Sequence, residues 1–147
     1  MTEIAKNKKA YFDYNLIEKL EAGIVLTGSE IKAIRAGKIN LKGSHAKILY
    51  GDKKNPELFL INANIATNDN SDNSRTRKLL IHKKEIIRLV GKIQAKKLTI
   101  VPTKLYLKRG KAKVEIAVAQ GKKLYDKREQ IKKKDLDREI KRNLKSF

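Results

Sequence analysis

Apolar and polar residues in the first half of the chain alternate at spacings that predict short strands and one short helix. Residues 21–26 are typical of a strand because Ile24 and Val25 are β-branched and Gly28 marks the end, and residues 14–20 form a second strand candidate. Thr27 and Glu30 have the spacing of a helix capping box, apolar residues then recur at helical spacing, and Gly37 ends the helix. The pattern therefore predicts a strand followed by a capped helix.

The second half of the chain predicts a hairpin, a polar loop, a helix and a pair of long strands. Residues 46–50 and 58–65 have strand character on either side of a turn at 51–56, and residues 67–76 are a polar loop. A helix begins near His82, with Arg88 and Lys92 among the residues of its polar face. Strands at 98–108 and 113–119 follow, and their alternation predicts two sets of residues that share a face: Val101, Thr103, Leu105 and Leu107, and Val114, Ile116 and Val118.

Many short strands with few short helices, and without strand–helix–strand alternation, indicate a particular fold class. We predict a mainly β fold with short helices, in the form of an OB-like antiparallel β-barrel. Barrels of this class commonly present a sheet face to oligonucleotides, although a fold alone does not establish a function.

The charge of the chain adds a candidate partner. The 147 residues carry a net charge of +20, and residues 121–147 hold eleven of the 36 Lys and Arg against five of the 16 Asp and Glu. This sign and size favour a nucleic acid partner. We predict an RNA-binding barrel over residues 1–120 and a basic tail over residues 121–147, in which Leu136, Ile140 and Leu144 recur every fourth residue. One thin apolar stripe cannot form a core, so the tail is expected to be disordered in isolation and helical against RNA.

Several function classes are disfavoured. The chain has no cysteine, no stretch typical of a signal peptide and no apolar run long enough to span a membrane, so a cytoplasmic protein without a membrane partner is expected. The sequence has no phosphate-binding, zinc-protease or nucleophile-elbow motif, and two isolated histidines, His45 and His82, do not specify a metal. We therefore predict a protein that is not an enzyme and has neither a cofactor nor a metal site.

Basic and aromatic residues are the candidates for RNA contact. Two groups of cations can reach phosphates, one beside the polar loop and one along the last hairpin: Arg75, Arg77 and Lys78, and Lys104, Lys108, Arg109 and Lys111. Tyr50 and Tyr106 lie in strand patterns and are expected to pack, whereas Tyr11, Tyr14 and Tyr125 lie among charges and are candidates for stacking on bases.

Five segments resemble those of one protein family. They are IAKNKKA at residues 4–10, EAGIVLTGSEIKAIRAG at 21–37, RTRKLLIHKKEI at 75–86, TKLYLKRG at 103–110 and GKKLYDKRE at 121–129. On these motifs the chain resembles the SmpB family of SsrA-binding proteins over nearly its whole length. The resemblance implies an OB-like barrel with flanking helices, and a non-enzymatic adaptor of trans-translation. Such an adaptor binds the tRNA-like domain of transfer-messenger RNA and delivers it to stalled ribosomes, while the tail senses the empty mRNA channel.

The resemblance also implies roles for particular residues. Four residues match RNA-binding positions of the family, with Leu80 supporting the surface and Glu21 organising it: Asn7, Tyr14, Glu21 and Leu80. Three cations are phosphate candidates by charge and position: Lys78, Lys108 and Arg109. The tail residues that match the ribosome-binding motif are Gly121, Asp126, Lys127 and Arg128, together with Tyr125, which stands where some members have His. His45 stands where the family often has Tyr, and both replacements keep a planar ring.

Two functions from other classes remain open at this stage. A structural protein of the ribosome would bind ribosomal RNA without transfer-messenger RNA. An RNA-processing enzyme would need a catalytic site that the sequence does not reveal.

Overall fold

The computed structural model describes residues 2–50, 55–67 and 72–122. The predicted turn at 51–56, the loop at 67–76 and the tail therefore lie wholly or partly outside the described residues. Within the described part, the strands are β1 (Thr2–Lys6), β2 (Tyr14–Ile24), β3 (Ile39–Asn40), β4 (His45–Tyr50), β5 (Pro56–Ile61), β6 (Asn64–Ile65), β7 (Arg77–Leu80), β8 (Thr99–Lys108) and β9 (Lys111–Gly121). The helices are α1 (Lys8–Asp13), α2 (Gly28–Arg35) and α3 (Lys83–Lys96).

Antiparallel pairing joins most of these strands into a closed ring. The order is β8, β4, β5, β7, β2 and β9, and β9 then pairs with β8. Strand β1 pairs with residues 104–107 of β8, and β3 and β6 form a separate pair. The prediction of a mainly β antiparallel fold with short helices is confirmed, and the strands enclose one apolar interior.

Strands β8 and β9 form a long hairpin, and a tight turn sets their register. Lys108 pairs with Lys111, which leaves Arg109 and Gly110 as a two-residue loop with φ angles of 52° and 75°. Positive φ at both positions is the geometry that matches the twist of antiparallel strands, and glycine adopts it without strain. This turn fixes which residues of β8 and β9 face inward as far as the register shift between Pro102 and Lys104.

The interior of the ring holds the apolar core. Fully buried side chains come from β5, β7, β8 and β9, among them Leu60, Leu79, Leu105 and Ile116. Helix α3 adds Leu89 to the same cluster, and α2 adds Ile34. A large aliphatic side chain contributes roughly 1.5–3 kcal/mol when fully buried, so these contacts hold both helices on the strand ring.

Ion pairs attach α3 to β2. The Arg88 guanidinium lies 2.6 Å from one carboxylate oxygen of Glu18, and Lys92 donates a hydrogen bond to the other. These cations belong to the predicted polar face of the helix, and two of its charges are used for attachment to the sheet. Hydrogen bonds from Lys92 and Arg88 hold the pKa of Glu18 below its usual value.

The capping box of α2 is confirmed. The Thr27 hydroxyl accepts from the Glu30 amide at 3.2 Å, and the Thr27 amide donates to the Glu30 carboxylate at 2.9 Å. Glu30 is nonetheless buried, which a capping box alone does not require.

Three local expectations differ from the structure. Val101 packs in a small outer cluster with Ala10 and Ala119 rather than with Leu105 in the main core, because a register shift between Pro102 and Lys104 reverses the alternation of β8. The strand predicted over 58–65 is interrupted at Asn62, where φ is 64°. No sequence pattern indicated β1 or α1. In the described residues, no helix has the length and apolar character needed to cross a membrane.

Candidate RNA-binding surface

Strand register brings Glu21, Tyr106 and Lys108 together on the outside of the ring. Glu21 of β2 pairs with Glu115 of β9, and the adjacent strand β8 carries the other two residues. The Tyr106 hydroxyl donates a hydrogen bond to the Glu21 carboxylate, and the Lys108 ammonium lies 3.6 Å from the same oxygen. The expectation that Glu21 organises the surface rather than touching phosphate stays a prediction, and these contacts are compatible with it.

The protonation of this trio is set by its own contacts. The hydrogen bond from Tyr106 and the charge of Lys108 hold the pKa of Glu21 below its usual value. Burial and the Glu21 carboxylate raise the pKa of Tyr106 well above its ordinary range. Glu21 is therefore an anion and Tyr106 a neutral donor at neutral pH.

A shallow groove of about 380 Å³ adjoins the trio. Its lining includes Glu21, Gly23, Leu80 and Lys113. Leu80 is 53% exposed, which is high for a leucine in a strand. A Cβ at Gly23 would lie 3.3 Å from the Leu80 Cβ, so glycine lets β2 and β7 approach closely beneath this side chain. We call this patch, made of Glu21, Gly23, Leu80, Lys108 and Lys113, the Glu21 surface.

Two further cation candidates lie near the Glu21 surface along the chain. Lys78 is two residues before Leu80 on β7; its side chain is exposed and lies 3.6 Å from Glu57. Arg109 is exposed in the two-residue turn that follows Lys108. Both guanidinium and ammonium groups at such positions can reach phosphate.

Asn7 and Tyr14 lie elsewhere. Tyr14 begins β2, seven residues before Glu21, which at strand spacing is about 23 Å away. Asn7 is 4% exposed and caps α1, because its side chain accepts from the Ala10 amide and donates to the Pro102 carbonyl. The structure thus gives Asn7 a structural role and separates these two candidates from the Glu21 surface.

Tyr11 lies between two lysines. The ammonium groups of Lys6 and Lys19 are 5.0 and 5.3 Å from its ring centre, close enough for cation–π attraction.

The two tyrosines that were expected to pack differ in burial. The packing of Tyr106 is confirmed at 5% exposure, whereas the packing expected of Tyr50 is wrong, since its side chain is 60% exposed. Tyr50 is the last residue of β4, and its neighbour Leu49 is also exposed.

Arg77 is not a phosphate contact. It is fully buried, and its Nε donates to Glu30 at 2.6 Å while its Nη atoms donate to backbone carbonyls of Ala63, Arg75 and Asn73. Arg75 also binds Glu30, at 2.6 Å, through a partly exposed side chain. The expectation that Arg77 reaches phosphate is wrong because an internal carboxylate holds it.

Sequence reasoning missed this buried ion pair. Burial alone raises the pKa of Glu30, but hydrogen bonds from Arg75, the Thr27 amide and Arg77 outweigh it, so the pKa is lowered overall. The capping-box pattern identified Glu30, yet it carries no signal for a partner 47 positions away.

The histidines are apart in the structure. His45 begins β4, and His82 caps α3 without a side-chain hydrogen bond to the helix. Across residues 2–50, 55–67 and 72–122, no group of three or more His, Cys, Asp or Glu is placed to hold a metal ion.

The start of the predicted tail lies within the sheet. Gly121 pairs with Tyr14 at the end of β9, and the Lys122 amide donates to the Asp13 carbonyl at 2.9 Å. The other tail candidates lie outside the described residues: Tyr125, Asp126, Lys127 and Arg128.

Comparisons with known proteins agree over almost the entire chain. The family model described as SmpB protein matches residues 4–146. The SsrA-binding protein of Thermosipho africanus is 53% identical, with 99% of this chain and 98% of that protein covered. The SsrA-binding protein of Ligilactobacillus salivarius is 52% identical, with 98% and 93% covered.

A solved structure is similar in both sequence and fold. It is described as "tmRNA-SmpB: a journey to the center of the bacterial ribosome", is 45% identical and has a TM-score of 0.65. The alignment covers 82% of this chain and 85% of that one.

Proposed function

The chain belongs to the SmpB family, and we propose that it is the RNA-binding adaptor of trans-translation, which binds the tRNA-like domain of transfer-messenger RNA and delivers it to stalled ribosomes. The observation that carries this proposal is identity of about half the residues, over nearly the full length, with proteins named for binding SsrA RNA. The solved tmRNA–SmpB structure on the ribosome supports the same two partners. The adaptor acts through binding rather than catalysis, in the cytoplasm where ribosomes translate.

The Glu21 surface supports the RNA-binding part of the proposal. It combines an exposed apolar side chain, Leu80, with a cation, Lys108, that a carboxylate holds in place. Side-chain order matters because a flexible lysine loses rotamer entropy when it binds, and a preorganised one loses less. We assign Leu80 to contact with the RNA, Lys108, Arg109 and Lys78 to its phosphates, and Glu21 to the positioning of Lys108.

Asn7 and Tyr14 support RNA binding in different ways. Asn7 holds α1 against β8, so its effect on RNA is exerted through the position of that helix. Tyr14 is half-buried against the outer cluster of Ala10, Val101 and Ala119 and keeps part of its ring accessible. Loss of either side chain would displace α1, and with it Tyr11, whose ring lies between Lys6 and Lys19.

The tail carries the ribosome-directed part of the proposal. Residues 121–129 contain the family motif, and we assign ribosome contact to Gly121, Tyr125, Asp126, Lys127 and Arg128. Tyr125 stacks on an exposed ribosomal RNA base, and the following charged residues hold the adjacent backbone. In this way the tail senses an mRNA channel that is empty.

Recovery of bound RNA tests the proposal. The tagged full chain is purified from bacterial cells at moderate salt, and the RNA that accompanies it is sequenced. We expect one transcript with a tRNA-like domain to dominate. Recovery of ribosomal RNA alone, in cells that contain transfer-messenger RNA, would instead support a structural protein of the ribosome.

A further inference from the structure

Helix α3 contributes a carboxylate to the groove beside the Glu21 surface. The lining of this groove includes His82, the N-cap of α3, and Glu85 of its first turn. In the part of the chain that the structure describes, the half-buried Glu85 carboxylate has neither a hydrogen-bond partner nor an ion-pair partner. Arg88, three residues further along the helix, is held by Glu18 at 2.6 Å. The groove therefore contains an acceptor that these contacts leave unoccupied.

The corresponding carboxylate of α2 has a structural task. Glu30 is three residues after the N-cap of α2, and its carboxylate accepts from the Thr27 amide at 2.9 Å. Glu85 has the same position in α3, but it bonds to His82 through its backbone amide, at 2.9 Å, rather than through its side chain. The helix dipole favours an acid in the first turn, yet it requires no particular direction of the side chain. Local helix structure thus explains the side-chain contacts of Glu30 but not the place of Glu85 in the groove.

A carboxylate in an RNA groove selects among the groups of a nucleotide. It repels phosphate, and it accepts hydrogen bonds without donating them. Guanine presents two adjacent donors, N1–H and the N2 amino group, on the edge that it uses for pairing, whereas each of the other three bases has an acceptor beside its donor. Unpaired bases expose this edge to proteins. An unpaired guanine is therefore the base that fits a free carboxylate best.

The other lining residues suit an unpaired base as well. Leu80, which is 53% exposed, and Ile81 supply apolar surface, and the exposed His82 supplies a ring on which a base can stack. Lys113 is a cation within reach of the adjoining phosphate. The volume of about 380 Å³ lies within the range of small-molecule sites, about 300–1,000 Å³. The groove thus offers both a surface for the base and an acceptor for its edge.

We propose that Glu85 recognises an unpaired guanine of the tRNA-like domain in this groove, by accepting hydrogen bonds from N1–H and the N2 amino group together. This inference rests on the proposed function and adds a residue that determines base specificity. Glu21, engaged by Tyr106 and Lys108, positions a cation for phosphate. Glu85 discriminates between bases.

Replacement of guanosine by inosine tests the proposal, because inosine lacks only the N2 amino group. Transcripts of the tRNA-like domain, each with inosine at one random guanosine position, are incubated with the full chain, and bound and unbound RNA are compared position by position. We expect a position at which inosine weakens binding by about 10-fold or more, the loss of one hydrogen bond to a charged group. With Glu85→Gln, inosine at that position should bind within about twofold of guanosine, because an amide has a donor group beside its acceptor.

Glu57→Gln is the matched control. It removes the same charge from an exposed carboxylate that does not line the groove. This variant should keep the inosine effect of the original chain at every position.

Three outcomes would overturn the proposal. One is the same inosine profile for the original chain and for Glu85→Gln. Another is tighter binding of all transcripts by one common factor in Glu85→Gln, since the carboxylate would then face only phosphate. The third is weaker ribosome binding by Glu85→Gln with unchanged binding of the tRNA-like domain, which would indicate a basic protein segment as the occupant. Failure of the original chain to bind the tRNA-like domain would refute the proposed function instead.

Discussion

Tyr106 shows how one hydroxyl determines the charge pattern of the Glu21 surface. Its side chain is buried, and its hydroxyl donates a hydrogen bond to the Glu21 carboxylate. Because Glu21 also attracts Lys108, the hydroxyl acts on the cation through the carboxylate. Tyr106 is therefore a positioning residue in the proposed RNA site.

Tyr106→Phe should weaken binding of the tRNA-like domain by about 3- to 10-fold, because a hydrogen bond to a charged group contributes about 1.5–3 kcal/mol and only part of it passes to Lys108. The pKa of Glu21 should rise when its donor is removed, and NMR titration of the carboxyl carbon measures this directly. Glu21→Gln should add little to Tyr106→Phe. Fully additive losses in the double variant would mean that each side chain contacts RNA independently.

Glu30 is a buried carboxylate that holds the buried guanidinium of Arg77, so we expect stability to depend on it. Glu30→Gln leaves Arg77 as a buried cation without a carboxylate, and removal of one partner of a buried pair costs about 3–5 kcal/mol. Urea unfolding at neutral pH measures this loss. The control is Glu57→Gln, which breaks the exposed pair with Lys78 and should cost about 1 kcal/mol or less.

The same carboxyl predicts a pH dependence. The pKa of Glu30 is lower in the folded protein than in the unfolded chain, so its stabilising effect is complete above about pH 4.3, the usual glutamate value, and is lost as pH falls through the folded pKa. The original chain should lose stability more steeply than Glu30→Gln in this acid range. Parallel stability curves for the two proteins would contradict the assigned pKa direction.

Among the elements, the β8–β9 hairpin places the most cations on the candidate surface. Its tight turn exposes Arg109 at a positive φ, and the strand before it presents Lys108. Register with β2 then brings Lys108 to Glu21, so the turn and the pairing act together. A change at this end of the hairpin should alter phosphate binding without altering the core.

Lys108→Gln combined with Arg109→Asn should reduce the slope of log affinity against log salt by about 0.7–0.9 for each phosphate that is no longer neutralised. Asparagine is chosen because it tolerates the positive φ of Arg109. The control is Lys96→Gln with Lys97→Asn, which removes the same charge and also replaces a residue at positive φ, 51°. Equal slopes for the two double variants on the tRNA-like domain would exclude the hairpin as the phosphate site.

At the scale of the whole molecule, the proposed function gives the strand ring and the tail separate roles. The ring ends where Gly121 pairs with Tyr14 and the Lys122 amide binds the Asp13 carbonyl. All strand pairing of the described residues is complete at this point. RNA binding by the ring and ribosome sensing by the tail should therefore be separable.

A chain that ends at Lys122 should fold and bind the tRNA-like domain within a few-fold of the full chain, yet fail to support tagging on stalled ribosomes. The end point keeps the last hydrogen bond to α1, so that the loss is confined to the tail. Filter binding and an in vitro tagging reaction measure the two properties. If RNA affinity fell as far as tagging did, the tail would belong to the primary RNA site.

Much of the fold follows from sequence because its signals are local. Three signals depend on residues within a few positions of one another. They are the alternation in β8 and β9, the capping box of α2, and the spacing of Ile86 and Leu89 in α3. The basic charge and the family motifs likewise require no three-dimensional information, and they identified the RNA partner. The same signals made Leu80, Glu21 and Lys108 candidates for RNA binding.

The tertiary structure alone decided how these residues meet, because the decisive contacts join distant positions. Glu21 and Tyr106 are 85 residues apart, and Asn7 and Pro102 are 95 apart, so no periodicity connects them. Whether Arg77 reaches phosphate or a buried carboxylate depends on where α2 packs, and whether Val101 faces the core depends on one register shift in β8. Sequence determined which chemical groups the chain carries, and long-range packing determined which of them are available to RNA.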